Sequence, residues 1–442
     1  MVKRRIFLGT AAAAAARAAK ADGKAALEGG QPVREKPLRA GYWGTQYYDE
    51  QERRQLLEVL ESGRPFRWYG PGDTPPQKAL TFEKEFARWM GTRYALGVTS
   101  GTAALQCALA ALEIGPGDEV ILPAWTWHSC FNTVVLAGAL PVCAEIDESF
   151  NLDPNDIERH ITPQTKAIMV AHLQGNPADL EAILAVARKH KLKVVEDCAQ
   201  SVGASYRGRP VGSWGDIGIY SLQLNKTITA GEGGAVVTND PVLFERASRF
   251  HDMGGLRPPH ASVAGEQRLD WFIGTNYRMN EFSAGVLLAQ LGKLERIVRE
   301  VRAKARYVYE GIADLANLKL RHRPDPDGEL GAGVFLGFPN RERRERFREA
   351  MKAENVPVSP PGGSVILPTL AHIMKKATVH PAWPSFSSAR GKAIRYGPET
   401  CPKTIDILNR FAGPLMDPKY TQKDLDDIVA AIRKAWAFAM RG

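Results

Sequence analysis

The chain has 442 residues, of which 44% are hydrophobic and 24% charged, and its 58 Lys and Arg against 49 Asp and Glu give a net charge of +9. That length suits a large domain plus a smaller one, and the composition is ordinary for a soluble protein. Five cysteines without a C-x-x-C pair, and nine histidines without an H-E-x-x-H pattern, argue against a zinc site or a disulfide framework.

In chain order, residues 1–24 read as a leader outside the fold. Lys3-Arg4-Arg5, an alanine run from Ala11 to Ala16 and then Ala19-Lys20-Ala21 resemble a twin-arginine export signal with a small-residue cleavage site, which would place the protein in the periplasm. The alternative is a basic, alanine-rich leader on a protein kept in the cytoplasm. Its apolar stretch is too short and too poor in large side chains to span a bilayer. Lys3, Arg4, Arg5, Arg17 and Lys20 supply five of the net positive charges, leaving +4 on the body. Nucleic-acid binding thereby loses its main support, and no aromatic-basic interleaving of the single-strand-binding kind is present.

The body is predicted as a large domain over 25–305. Thr99 to Leu105, T-S-G-T-A-A-L, reads as a glycine-bearing turn opening a helix, with Gly101 and Thr102 offering N–H groups and a hydroxyl at an N-terminus that favours a phosphate. Taken alone, it is equally an ordinary N-cap. After a helical pattern from Leu180 to His190, the apolar Val194-Val195 puts Asp197 at the C-terminal end of a parallel strand, where open α/β sheets bind ligands. Ser221 and Lys226 follow an apolar run from Ile217, with Gly231, Gly233 and Gly234 beyond, an arrangement that fits a lysine projecting from a strand end into a tight site.

Together these residue types suit pyridoxal phosphate, which needs a lysine amine, a carboxylate beside its ring nitrogen and donors for its phosphate. Lys226 would form the Schiff base, Asp197 would pair with the pyridinium, Gln200 would donate to the ring phenolate oxygen, and Ser221 would serve the phosphate. We read the chain on these residues as a pyridoxal-phosphate aminotransferase.

Downstream of Asn280, Leu287, Leu288, Leu291 and Leu294 recur at helical spacing and close the large domain. Residues 306–442 are predicted as a small C-terminal α+β domain. Pro357 to Gly363 and Ala371 to Tyr396 read as loops, and Thr421 to Met440 as an amphipathic closing helix with Asp424, Asp426 and Asp427 favourably placed against its dipole.

Six motifs, Gly101-Thr102-Ala103-Ala104-Leu105, Pro123-Ala124-Trp125-Thr126-Trp127, His172-Leu173-Gln174-Gly175, Glu196-Asp197-Cys198-Ala199-Gln200, Lys226 with Gly231-Glu232-Gly233-Gly234, and Gly274-Thr275-Asn276-Tyr277-Arg278-Met279, resemble in order those of the DegT/StrS-type aminotransferases. The resemblance spans Leu27 to the C-terminus. It implies an aspartate-aminotransferase-like α/β fold (fold type I) with a mixed, mostly parallel sheet. It also implies that Lys226 is the Schiff-base lysine, Asp197 the pyridinium partner, Gln200 the phenolate donor and Gly101, Thr102 and Ser221 the phosphate cradle. Trp127 falls where the family stacks an aromatic ring on the cofactor, and Asn276 where it lends an asparagine to the partner subunit's phosphate, so the site would be shared in a homodimer. No metal is implied.

Gln223, Cys198 and the opening Ala26 to Arg34 are similar to the L-glutamine:scyllo-inosose aminotransferase and 3-amino-5-hydroxybenzoate synthase subgroup. The implied reaction moves an amino group from glutamate or glutamine to a keto-sugar or keto-cyclitol by a ping-pong mechanism. Lys226 disfavours the family's dehydratases, which carry histidine there. A lyase using the same cofactor and a non-catalytic cofactor-binding regulator are the alternatives. Arg257 and Arg278 are candidates, by residue type alone, for the donor's carboxylate.

Overall fold

The computed structural model describes residues 23–68, 74 and 76–441. The proposed leader, but for its last two residues, lies outside the described residues.

A seven-stranded sheet organises the molecule: β1 (Tyr94–Val98), β2 (Glu119–Pro123), β4 (Leu140–Ala144), β5 (Thr165–Ala171), β6 (Lys193–Asp197), β7 (Ile217–Ser221) and β8 (Gly234–Thr238), in the spatial order β1-β8-β7-β6-β5-β2-β4. From β4 through β7 all pairings are parallel, and β8 runs antiparallel to both its neighbours. The fold is thus the α/β, fold-type-I arrangement expected, with a mixed, mostly parallel sheet. Its strands are rich in Val, Ile and Ala and almost wholly buried, because helices cover both faces.

Two helices show how the sequence sets up the site. Leu180–His190 is capped by Asp179, which accepts from Ala182 N at 3.3 Å, and carries Arg188, Lys189 and His190 against the C-terminal end of its dipole. It ends with Lys191 at φ +56°, and the chain re-enters the sheet as β6, which delivers Asp197. The second helix, α1 (Gly101–Ala111), is capped by Ser100, whose hydroxyl accepts from Ala103 N at 3.1 Å. Ala103, Ala104, Ala108 and Ala111 are small enough to let it lie close between the sheet and the helix Pro241–His251.

C-terminal to the long helix Leu294–Ile312, Lys319–Leu320, Leu336–Gly337 and Phe411–Ala412 form a three-stranded antiparallel sheet. The helices Arg341–Ala353 and Gln422–Met440 pack on each other beside it. The closing helix has the predicted extent, and Thr421 and Asp424 cap it reciprocally. Residues 371–396, expected as loop, contain three short helices, Ala371–Met374, Pro384–Ser387 and Ala389–Ala393. They form through tertiary anchors that composition does not reveal: Ser385 Oγ donates to Val135 O at 3.1 Å, Tyr396 Oη to Pro141 O at 2.8 Å, and Arg390 to Glu119 at 2.9 Å. Among the described residues no helix is long and apolar enough to cross a membrane.

Candidate active site

A cavity of about 760 Å³ opens at the C-terminal ends of the parallel strands. Asp197, Ser221, Gly101, Thr102, Trp127, Gln200 and Lys226 all line it, so seven residues singled out from the sequence converge. Asn276 is exposed and is not among the lining residues.

Asp197 is buried at the last position of β6. Among the described residues each carboxylate oxygen has one donor: Ala199 N–H reaches Oδ1 at 2.9 Å, and the Cys130 thiol reaches Oδ2 at 2.9 Å. Lys226 occupies the loop between β7 and β8 and not a strand end as the sequence suggested. The strand stops at Ser221, and the chain turns with Leu224 N donating to Gly231 O at 3.0 Å. Buried Thr227, Ile228 and Thr229 anchor the loop, Thr229 Oγ1 donating to Leu222 O at 3.0 Å. The Lys226 amine makes no side-chain hydrogen bond or ion pair among the described residues. Burial lowers its pKa from the ordinary lysine value, and the nearby Asp197 charge opposes that shift.

Gly101 opens α1 directly against the end of β7. A Cβ built on it would stand 2.7 Å from Ser221 Cβ and 3.2 Å from Ser221 Oγ, so the absent side chain is what lets the helix N-terminus and the serine hydroxyl share one recess. Thr102 Oγ1 lies 2.9 Å from Ser129 Oγ, at the start of α2 (His128–Leu136), and both line the cavity. Helix donors, hydroxyls and a glycine-only approach form a cradle suited to a phosphate. Unpaired amine, buried carboxylate and phosphate cradle together fit pyridoxal phosphate. Gly101→Ala is expected to weaken cofactor binding at least about tenfold, with a folding cost of about 1–3 kcal/mol from overpacking. Cofactor titration of the apoprotein and urea unfolding measure the two effects.

Gln200 reaches the cavity, but its amide is engaged: Nε2 donates to Gly363 O and Ser364 Oγ, each at 3.0 Å, and Oε1 accepts from Gln174 N at 3.1 Å. Gln174 Nε2 also donates to Gly362 O. These bonds hold the segment 359–364 over the cavity, next to Val365–Ile366, which pairs with β3 (Trp125–Thr126). The sequence reading missed this wall, and it missed Trp43, whose indole N–H donates to Met416 O at 3.0 Å. It also missed Cys130. Arg257 and Arg278 are paired with Asp252 and are not among the lining residues, so neither is placed to clamp a donor carboxylate in its own chain's cavity.

Beneath the site His172, Glu196 and Cys198 bring ligand-type atoms within 4.8 Å of one another. Glu196, however, accepts from Gly212 N, Trp214 N and Gly215 N at 2.6–2.7 Å. His172 Nδ1 accepts from Ala178 N at 3.0 Å, so Nε2 bears the proton and donates to Glu196 at 3.1 Å. Histidine and carboxylate thus bond each other where an ion would have to lie between them. The network fixes the loop after β6.

A model of the DegT/DnrJ/EryC1/StrS aminotransferase family matches residues 46–433. The chain belongs to this family. It is a pyridoxal-phosphate-dependent aminotransferase. It is 36% identical over 343 residues to the L-glutamine:2-deoxy-scyllo-inosose aminotransferase of Micromonospora echinospora, covering 76% of this chain and 77% of that one. It is 39% identical over 337 residues to the GDP-perosamine synthase of Caulobacter vibrioides (strain ATCC 19089 / CIP 103742 / CB 15), covering 74% and 85%. Among solved structures, 3-amino-5-hydroxybenzoic acid synthase superposes with a TM-score of 0.73 at 28% identity over 91% of this chain and 100% of that one. S. venezuelae DesV, in complex with a ketimine intermediate, superposes with a TM-score of 0.70 at 31% identity, over 89% and 95%.

Proposed function

We propose that this aminotransferase takes its amino group from glutamate or glutamine and delivers it to a cyclic keto-polyol or keto-sugar in two half-reactions through Lys226. One observation carries the reading: Lys226 is half-buried, its amine unpaired among the described residues and kept from full basicity by its surroundings, in the same cavity as Asp197 and the Gly101–Ser221 recess. Pyridoxal phosphate, when bound, supplies an aldehyde to carry the amino group and a ring to hold the electron pair left by deprotonation. The cradle of Gly101, Thr102 and Ser221 holds the phosphate. Asp197 holds positive charge at the ring nitrogen, and the Trp127 indole offers a flat face to the ring. Gln200, if its bonds to the 363–364 segment yield, donates to the phenolate oxygen. Lys226 would take the donor's Cα proton and return it to the carbon on the far side of the amino nitrogen, two atoms along, so the same amine would serve as base and then acid. The segment 359–364 narrows the access of water.

The acceptor class rests on the scyllo-inosose aminotransferase and perosamine synthase relatives, whose names cover a cyclitol and a nucleotide sugar. The decisive experiment incubates the holoenzyme with glutamate or glutamine and a panel of keto-cyclitols and nucleotide-linked keto-sugars. An aminated product with one equivalent of 2-oxo acid supports the reading. Loss of water without gain of nitrogen replaces it with a lyase.

Asn276 supports a shared homodimeric site, since it lies outside its own chain's cavity and is bridged by backbone pairing to Asp252 in a segment exposing Trp271 and Ile273. Mixing Asn276→Ala with Lys226→Ala subunits is expected to restore about a quarter of wild-type activity, because statistical hybrids carry one intact site. No recovery after mass spectrometry confirms subunit exchange overturns the shared site.

A further inference from the structure

Cys130 has no part in the mechanism above, yet its thiol is one of two donors, among the described residues, to the carboxylate on which that mechanism depends. It sits in the first turn of α2 with no solvent exposure, 2.9 Å from Asp197 Oδ2, and Thr126 Oγ1 lies 3.4 Å from its sulfur. Thr126 and Asp197 both line the cavity, whereas Cys130 stands behind them. Burial and the adjacent carboxylate push the thiol pKa well up, so sulfur keeps its proton and acts as donor. We propose that Cys130 is a positioning residue that sets how much negative charge Asp197 presents to the cofactor's ring nitrogen.

The argument is one of donor strength. A carboxylate shares its charge with whatever donates to it, and each strong donor lowers its affinity for the next positive group. Ala199 N–H fixes Oδ1. At Oδ2 a backbone amide or hydroxyl would hold the group as firmly but draw off more charge. A thiol is a weak donor. It fixes the Asp197 rotamer and leaves the carboxylate basic, while its bulk keeps water off Oδ2. Thr126, in turn, limits the thiol's choice of orientation by bonding to the sulfur from the other side.

The inference rests on Asp197 being the ring-nitrogen partner, so the test separates the two. Holoenzymes of wild type, Cys130→Ser, Cys130→Ala, Asp197→Asn and Cys107→Ala are loaded with cofactor labelled with 15N in the ring. The nitrogen chemical shift at fixed pH reports its protonation, and apoprotein titration gives cofactor affinity. Cys107→Ala removes an equally buried thiol from α1 and controls for packing. The ring nitrogen is expected to be least protonated in Asp197→Asn. Cys130→Ser, with its stronger donor, should fall between that variant and wild type and lose about threefold to tenfold in cofactor affinity. Cys130→Ala is expected at or beyond wild type in protonation, and Cys107→Ala at wild type.

A shift in Asp197→Asn with none in Cys130→Ser overturns the inference alone. No shift in Asp197→Asn removes the reading beneath it, and the inference with it. Equal shifts in Cys130→Ser and Cys107→Ala assign the effect to packing and also overturn it. Cys130→Ser changes one atom, so a folded holoenzyme of that variant decides the matter even where Cys130→Ala fails to fold.

Discussion

Lys226→Ala is expected to abolish amino transfer while leaving a folded protein at least as stable as wild type in the absence of cofactor. The two halves of this result have separate causes. Turnover is lost because no other lysine lines the cavity among the described residues, so nothing replaces the amine as anchor or proton carrier. Stability is kept because Lys226 is half-buried, its amine makes no hydrogen bond or ion pair among the described residues and it lines the cavity, so removing it leaves no partner unsatisfied. The pH dependence has a definite sign. Burial lowers the folded-state pKa below that of the unfolded chain, so between those two values the unfolded state binds more protons and wild-type stability rises with pH. The penalty is complete below the folded value and gone above the unfolded one, about 10.4. The advantage of Lys226→Ala should therefore shrink as pH climbs through that window. Urea unfolding of both apoproteins at a series of pH values measures this, and single-turnover assays with glutamate and glutamine measure the loss of transfer. Residual transfer in pure Lys226→Ala protein would remove the lysine from the mechanism.

The parts of this site that were readable beforehand lie on local signals. The helical pattern from Leu180 to His190 and the apolar Val194-Val195 mark a helix and the strand after it, and together they place Asp197 at a strand end. Ser100 and Gly101 mark a helix start in the same way. What escaped was set by contacts between distant segments. Residues 359–364 cross the cavity because Gln174 and Gln200 hold them there, more than 150 residues away in sequence. Residues 371–396 look like loop by composition, yet fold into helices against α2 and β4. The apolar run before Lys226 reads as continuous through Leu224 and so suggests a strand end for the lysine. The strand breaks at Ser221, where Gly231 and Thr229 offer the loop its own hydrogen bonds. Cys130 carries no signal at all, since its importance follows from the Asp197 oxygen it meets and not from the residues beside it.

The second large effect is expected at Asp197. Asp197→Ala should lower the rate of the first half-reaction at least about a thousandfold, the scale of removing a preorganised charge from a buried position beside the reacting group. The side chain is buried and its two oxygens are already oriented by Ala199 N–H and the Cys130 thiol, so little reorganisation is needed when positive charge develops opposite it. Alanine removes both the charge and the acceptors. Asparagine keeps the shape but not the charge, and glutamate the charge but not the reach. If the charge governs the rate, Asp197→Asn should fall close to Asp197→Ala, while Asp197→Glu should retain part of the activity despite its misplaced carboxylate. If orientation governs it, asparagine should outperform glutamate. Stopped-flow absorbance on the three cofactor-loaded variants, with saturating donor, separates these cases, because a loss confined to the rate at saturation identifies an interaction made in the transition state. An Asp197→Ala enzyme within tenfold of wild type would mean that the ring nitrogen needs no partner here, and the electron pair would have to be stabilised from another side of the cavity.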